Sequence, residues 1–209
     1  MAETISIDPH HPDRDALLKI IEYVISGKTI AFPTETFYAL GVSVYNEEAL
    51  KKVFAIKERD YGKPLPILIE GEVMLKEVVS EIPPLASTLM REFWPGGLTL
   101  IFKTSAKIPP LLTAHTNTIA VRNPSHPIAR MLVKAAKCPL TATSSNISGS
   151  KSCSSAGEVA DSIGNTVDLI IDGGQTEGLL PSTIVDLTST PPKIVREGII
   201  SSKQLKDFF

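Results

Sequence analysis

Cationic and hydroxyl side chains recur where the apolar runs of this chain end, and carboxylates are scarce beside them. Lys57 and Arg59 form a Lys-x-Arg pair, with Lys63 shortly after. Arg122 follows the run Thr118–Val121, and Arg196 follows Lys193–Val195. Thr34 and Thr36 lie just past the run Thr29–Phe32, and Ser182 precedes another. The stretch 139–152 begins as a short apolar run and empties into serines and threonines, among them Ser144, Asn146 and Ser152. Arginine grips phosphate or carboxylate through two parallel N–H bonds, and lysine acts as a point charge. Small hydroxyls and free backbone N–H groups approach closely and fill the remaining lone pairs. A cleft lined this way suits a polyanion such as a nucleoside triphosphate. Each residue taken alone also reads as a solvated charge or a local cap, and the serine-rich stretch as an ordinary loop. The recurrence at strand ends is what favours a shared site.

The common nucleotide signatures do not occur. There is no GxxxxGK[ST], no GxGxxG, no GxSxG elbow and no HExxH. Cys138 and Cys153 form no CxxC, and His10, His11, His115 and His126 show no zinc spacing. His10 and His11 read as surface residues. No metal-ligand set is expected. With no Ser/His or Cys/His nucleophile in view, covalent catalysis is poorly supported. What remains is a positioning enzyme that aligns two reactants and neutralises charge, or a binding module.

The elements that must hold these groups follow from periodicity. Leu17, Leu18, Ile21, Val24 and Ile25 share one face of a helix over 14–26, with Asp13 as N-cap and Gly27 as stop. Asn46 caps a second helix through Lys57, with Leu50, Val53 and Phe54 inward. Further helices are expected near 72–79, 85–93, 156–163 and 202–208, and one of about ten residues from Pro127. Strands are expected at 29–32, 65–69, 98–102, 118–121, 140–143, 167–171, 183–187 and 193–195, and a polar turn over 33–36 leads into the stretch 37–41. Some of their links are too short for a crossover helix, so the sheet is mixed. The expectation is one α/β domain over residues 1–209, core about 14–200, with a twisted open mixed β-sheet flanked by helices. Trp94 reads as core or turn packing, Phe37 and Tyr38 as cleft wall, and Asp172-Gly173-Gly174 as a turn.

The 209 residues are 43 % hydrophobic and 21 % charged, which fits a globular domain with a sizeable core. The formal net charge of −2 carries no global signal for nucleic acid, although a local basic patch stays possible. The first residues lack the basic and apolar regions of a secretory leader, and no apolar run reaches membrane-spanning length. A cytoplasmic protein with reduced thiols and no membrane contact is the expectation.

Several motifs occur together and in order: Pro33-Thr-Glu-Thr-Phe-Tyr-Ala-Leu-Gly41, Lys57-Glu-Arg59, Lys63-Pro-Leu65, Trp94-Pro-Gly-Gly-Leu-Thr99, Val121-Arg122, Ser144-Ser-Asn146, Ser182-Thr-Ile-Val-Asp186 and Arg196-Glu-Gly198. Over roughly residues 14–200 the chain resembles the YrdC-like family of L-threonylcarbamoyladenylate synthases, in its single-domain form. The resemblance implies a concave cationic cleft in an α/β fold. It also implies a nucleotidyltransferase that condenses L-threonine, bicarbonate and ATP to threonylcarbamoyl-AMP and pyrophosphate, with Mg²⁺ held mainly by ATP. The product serves tRNA modification through downstream carbamoyl-transfer proteins, and contact with tRNA or another RNA is a possible further role. Position by position, Thr36, Arg122, Ala142 and Ser182 fall where the family holds threonine. Arg59, Lys63, Thr118, Ser144, Asn146, Ser152 and Arg196 fall where it holds ATP, and Lys57 with Arg59 is expected to carry catalysis.

The chain departs from the family at Phe37, Ala39 and Leu68, where valine, glycine and, in longer members, histidine are common. Two other readings therefore stand beside the synthase. One is a catalytically weak paralogue acting as a nucleotide- or RNA-binding module, and the other a related carbamoyl-adenylate-forming enzyme with a different amine or carbamoyl donor.

Overall fold

Capping residues start the helices where the sequence places them. In a computed structural model that describes residues 1–209, Asp13 accepts from the N–H groups of Asp15 and Ala16 at the head of helix α1 (Arg14–Ile25). Asn46 accepts from Ala49 N at the head of α2 (Glu47–Ile56). Leu50, Val53 and Phe54 of α2 are buried as expected. On α1 the buried face is different: Ile20 and Val24 turn inward, while Leu18 and Ile25 are exposed. The apolar stripe there is wider than the surface available to cover it.

The remaining helices are α3 (Gly71–Val78), α4 (Pro84–Phe93), the single turn α5 (Pro110–Thr113), α6 (Pro127–Ala136), α7 (Ala156–Ile163) and α8 (Ser202–Leu205). The strands are β1 (Glu3–Ser6), β2 (Ile30–Pro33), β3 (Tyr38–Gly41), β4 (Ile67–Leu68), β5 (Leu98–Lys103), β6 (Thr118–Arg122), β7 (Leu140–Thr141), β8 (Thr143–Ser144), β9 (Leu169–Asp172), β10 (Thr183–Asp186) and β11 (Lys193–Arg196).

The α/β class and the mixed pairing agree with expectation, but the strands divide between two sheets rather than one. One sheet has the order β1-β9-β2-β3-β8 and the other β11-β10-β5-β6-β4-β7. The division falls inside the stretch 140–144. β7 pairs with β4 in the second sheet and β8 with β3 in the first, with Ala142 between them. The Ala142 N–H donates to Pro66 O at 2.8 Å, so even the junction residue is tied to the segment leading into β4. β1 was not expected. It pairs parallel to β9, Glu3 against Leu169 through Ser6 against Asp172.

The larger core gathers Tyr38, Phe54 and Phe102 with one face of the second sheet: Leu98, Leu100, Val121 and Val185. A smaller core holds Phe32, Leu68, Leu132 and Leu169 beneath α1 and α6. Since side chains alternate across a strand, Thr99, Ile101, Ala120 and Arg122 face away from the larger core.

Candidate functional site

That opposite face floors a cavity of about 360 Å³. Thr99 and Ile101 of β5, Ala120 and Arg122 of β6, and Ser182 and Ile184 at β10 form its base. β11 contributes Val195 and Arg196. Tyr38 and Ala39 of β3 close it from the first sheet, with Thr34, Thr36 and Phe37 of the preceding turn. Arg59, Ala142, Ser144 and Ser152 complete the residues the sequence singled out. A second cavity of about 430 Å³ has a wholly polar wall that includes Lys57, Arg59, Lys63, Ser144, Asn146 and Ser152. Arg59, Ser144 and Ser152 line both, so the two spaces adjoin.

Local structure explains how each group arrives. In Lys57-Glu58-Arg59 the middle residue is the helix stop. Glu58 adopts φ 48°, and Arg59 N returns to Phe54 O at 2.9 Å. The reversal swings Arg59 off the end of α2, where Nε donates to Lys63 O at 3.2 Å and Nη2 to Pro64 O at 2.9 Å. Lys63 itself is exposed.

Lys57 is only 1 % exposed. Its ammonium donates to Ser144 O and, at 2.6 Å, to Asn146 O. Its own carbonyl accepts from Ser148 N at 2.9 Å. The lysine therefore staples the serine loop to the end of α2. Sequence reasoning gave this ammonium to a triphosphate; in the structure two of its N–H bonds are already committed to the loop. Burial, reinforced by the neighbouring Arg59 charge, pushes its pKa down to about 8.

Asn146 is buried, and its Nδ2 donates to Ile147 O and Ser150 O at 2.9 and 2.7 Å. Its Oδ1 and the hydroxyls of Ser145 and Ser148 are buried without partners. Orphaned polar atoms of this kind are costly unless something else meets them.

Arg122 is held from several directions. Nε donates to Glu35 Oε1 and to Gly96 O, each at 3.2 Å, and Nη1 donates to Thr36 Oγ1 at 3.1 Å. Arg196 donates through Nε and Nη2 to Ser182 O at 3.1 and 2.8 Å, and through Nη2 to Ser182 Oγ at 3.1 Å. Ser182 Oγ in turn lies 2.8 Å from Thr99 Oγ1. Burial, and then the Arg122 charge, lower the pKa of Arg196.

Thr118 is the site residue the structure leaves outside both cavities. It shares the strand face of Ala120 and Arg122 but lies further along β6, where its hydroxyl is 3.0 Å from Thr116 Oγ1. Besides Thr143 of the first cavity and Glu58, Asp60, Ser148 and Ser150 of the second, Glu35 and Thr99 are polar groups that sequence reasoning did not assign. Glu35 and Thr99 stood inside quoted motifs, and the strand alternation that placed Arg122 could have placed Thr99 as well. Of the bland readings, Trp94 packs on the larger core with Nε1 donating to Leu98 O at 2.7 Å. Asp172 accepts from Gly174 N as a turn residue does, and His10 and His11 are exposed.

The comparison with known proteins is decided by extent: a family model named Sua5_yciO_yrdC, described as "Telomere recombination", matches residues 22–198. This chain belongs to the Sua5/YciO/YrdC family. A Pyrococcus abyssi threonylcarbamoyl-AMP synthase is 40 % identical over 184 residues, covering 88 % of this chain and 54 % of that protein. A Bacillus subtilis threonylcarbamoyl-AMP synthase is 35 % identical over 200 residues, covering 95 % and 56 %. The chain thus spans about half the length of these curated relatives. Among solved structures, that of P. abyssi Sua5 complexed with L-threonine superposes with a TM-score of 0.95 at 36 % identity, over 99 % of this chain and 60 % of that one. Escherichia coli YciO superposes with a TM-score of 0.89 at 31 % identity, covering all of both chains. These two structures therefore share the fold of this chain. No helix of this member is long and apolar enough to cross a membrane.

Proposed function

We propose that this protein is an L-threonylcarbamoyl-AMP synthase, a nucleotidyltransferase that condenses L-threonine, bicarbonate and ATP to threonylcarbamoyl-AMP, pyrophosphate and water. One observation carries the reading: Arg59, Arg122, Ser144 and Arg196, from four distant segments, line a single cavity. That cavity would be the cationic cleft of the family. Threonylcarbamoyl-AMP synthases at 35 and 40 % identity support it, and so does the related structure that holds L-threonine.

In this reading the amino acid occupies the first cavity, against Thr36, Arg122, Ala142 and Ser182. The arginine pairs with its carboxylate. The nucleotide reaches from there into the polar second cavity, where Arg59, Lys63, Ser144, Asn146 and Ser152 meet the phosphates, while Arg196 meets it from the wall of the first cavity. The carboxylate of N-carboxythreonine attacks the α-phosphorus in line, the bond to the departing pyrophosphate breaks, and Arg59 and Lys63 balance the charge that leaves. Lys57 contributes by holding the loop. The acceleration comes from alignment and from charge already oriented before the reaction.

No group of three or more His, Cys, Asp or Glu side chains is placed to hold a metal ion. The oxygen donors present fit Mg²⁺ bound chiefly by phosphate and water, as this ion prefers, with Asn146 Oδ1 and the Ser148 hydroxyl as buried, unpartnered oxygens of residues in the second cavity wall. Bound there, it would neutralise phosphate charge. The product would pass to proteins that modify tRNA, in the cytoplasm, and the whole chain 1–209 would act as one domain.

A second reading, a nucleotide-binding protein with weak turnover, draws on Phe37, Ala39 and Leu68, which all line the first cavity. Pyrophosphate release from ATP decides between them. Release that requires both L-threonine and bicarbonate supports the synthase. ATP binding with no release supports the second reading, and release without threonine points to another amine.

A further inference from the structure

We infer that Glu35 is a positioning residue that turns one defined edge of the Arg122 guanidinium toward the carboxylate of the ligand. The carboxylate in question is that of the amino acid, so this part rests on the function proposed above. Glu35 lies outside the cavity wall, behind Arg122. Its side chain is 15 % exposed and that of Arg122 10 %. Oε1 sits against the edge formed by Nε and Nη2, at 3.2 and 2.7 Å. At these two distances Oε1 bridges that edge and closes an ion pair, and the Nη2 atom is itself buried.

A guanidinium has five N–H donors in a rigid fork. Here Nε is shared between Glu35 and Gly96 O, and one N–H of Nη1 goes to Thr36 Oγ1. With Nη2 buried against Glu35, the donor left for an outside group is the second N–H of Nη1, beside Thr36. An internal carboxylate occupies the side edge, so an external one is left the Nη1 end of the fork.

The turn that carries Glu35 is itself fixed. Thr34 Oγ1 donates to Phe37 O at 2.7 Å and accepts from Thr36 N at 3.2 Å. Glu35 also sets the local charge. Arg122 and Arg196 face one cavity, and a single buried carboxylate leaves a net charge of +1 among the three groups, which one substrate carboxylate then cancels. Burial acts to raise the Glu35 pKa, but Arg122 and nearby backbone N–H groups lower it further, so the carboxylate stays ionised.

The test compares Glu35→Ala and Glu35→Asp with the wild type by calorimetric titration with L-threonine and, separately, with ATP. Thermal melting confirms that each variant is folded. Glu35→Ala is expected to weaken L-threonine about tenfold or more and to leave ATP within about twofold. Glu35→Asp keeps the charge and recovers most of the loss. Unchanged threonine affinity in a folded Glu35→Ala protein overturns the inference, and so do equal losses in the two variants. A second measurement needs no substrate. In ligand-free protein with nitrogen-labelled arginine, the Arg122 Nε–H signal, assigned with Arg122→Lys, is slow to exchange and becomes fast in Glu35→Ala. If its exchange is unaltered, Glu35 does not hold the guanidinium. A wild type that binds ATP but not L-threonine would sink the proposed function, while the exchange measurement would still decide the role of Glu35.

Discussion

Replacing Lys57 by methionine tests the loop staple through stability, without reference to turnover. The wild-type ammonium is buried, with a pKa near 8 in place of its ordinary 10.5. That displacement corresponds to roughly 3 kcal/mol of preference for the neutral form at about 1.36 kcal/mol per pH unit. Between the two values the unfolded chain holds more protons at this site than the folded one, so its contribution to stability rises with pH. The penalty is present in full below about pH 8 and is gone above the unfolded value. The neutral amine keeps two N–H bonds, enough for the carbonyls of Ser144 and Asn146. Wild-type stability should therefore gain about 2 kcal/mol on Lys57→Met between pH 7 and pH 9.5. Urea unfolding of both proteins at the two pH values measures this, and the difference between them cancels every other titrating group. A difference that stays flat across the range would show that the ammonium is not buried, and the staple would fall with it. Because methionine leaves both carbonyls unpaired, loop order should also drop, seen as faster amide exchange over residues 145–152.

Other expectations follow from the same geometry. Arg59→Ala should abolish pyrophosphate release while the melting temperature stays within a few degrees, because its guanidinium meets only the carbonyls of Lys63 and Pro64; normal rates would remove Arg59 from the chemistry. Gly198→Ala would drive a methyl group into the Pro181 and Ser182 backbone. It should cost about 1–3 kcal/mol and raise the KM for threonine by displacing Ser182, read from melting and from kinetics. Asn46→Ala removes one helix cap far from the cavities and should cost about 1 kcal/mol, with kcat unchanged.

The helices were largely legible because their signals are local. Asn46 and the apolar triplet Leu50, Val53 and Phe54 define α2 from within one stretch, and α7 lies over 156–163 as expected. The motif residues were legible for a similar reason, since each sits at the end of an apolar run. What escaped was set by distant partners. β1 exists because β9 offers it an edge, and nothing in Glu3–Ser6 announces that. The break at Ala142 depends on which sheet each two-residue strand joins, and an apolar period does not carry sheet membership. The exposure of Leu18 and Ile25 reflects how much of α1 its neighbours cover. Glu35 and Lys57 show the same limit within the site. Sequence reasoning assigned no role to the first and phosphate to the second, whereas tertiary structure sets the first against Arg122 and aims the second at two carbonyls.

The central claim is that separate segments build one site for an amino acid beside a triphosphate. A crystal structure with L-threonine and a non-hydrolysable ATP analogue tests it most directly. The account predicts the amino-acid carboxylate at the Nη1 end of Arg122, beside Thr36, and the phosphates among Arg59, Ser144 and Asn146. Finding the two ligands in unconnected places, or the phosphates away from Arg59 and the serine loop, would contradict it.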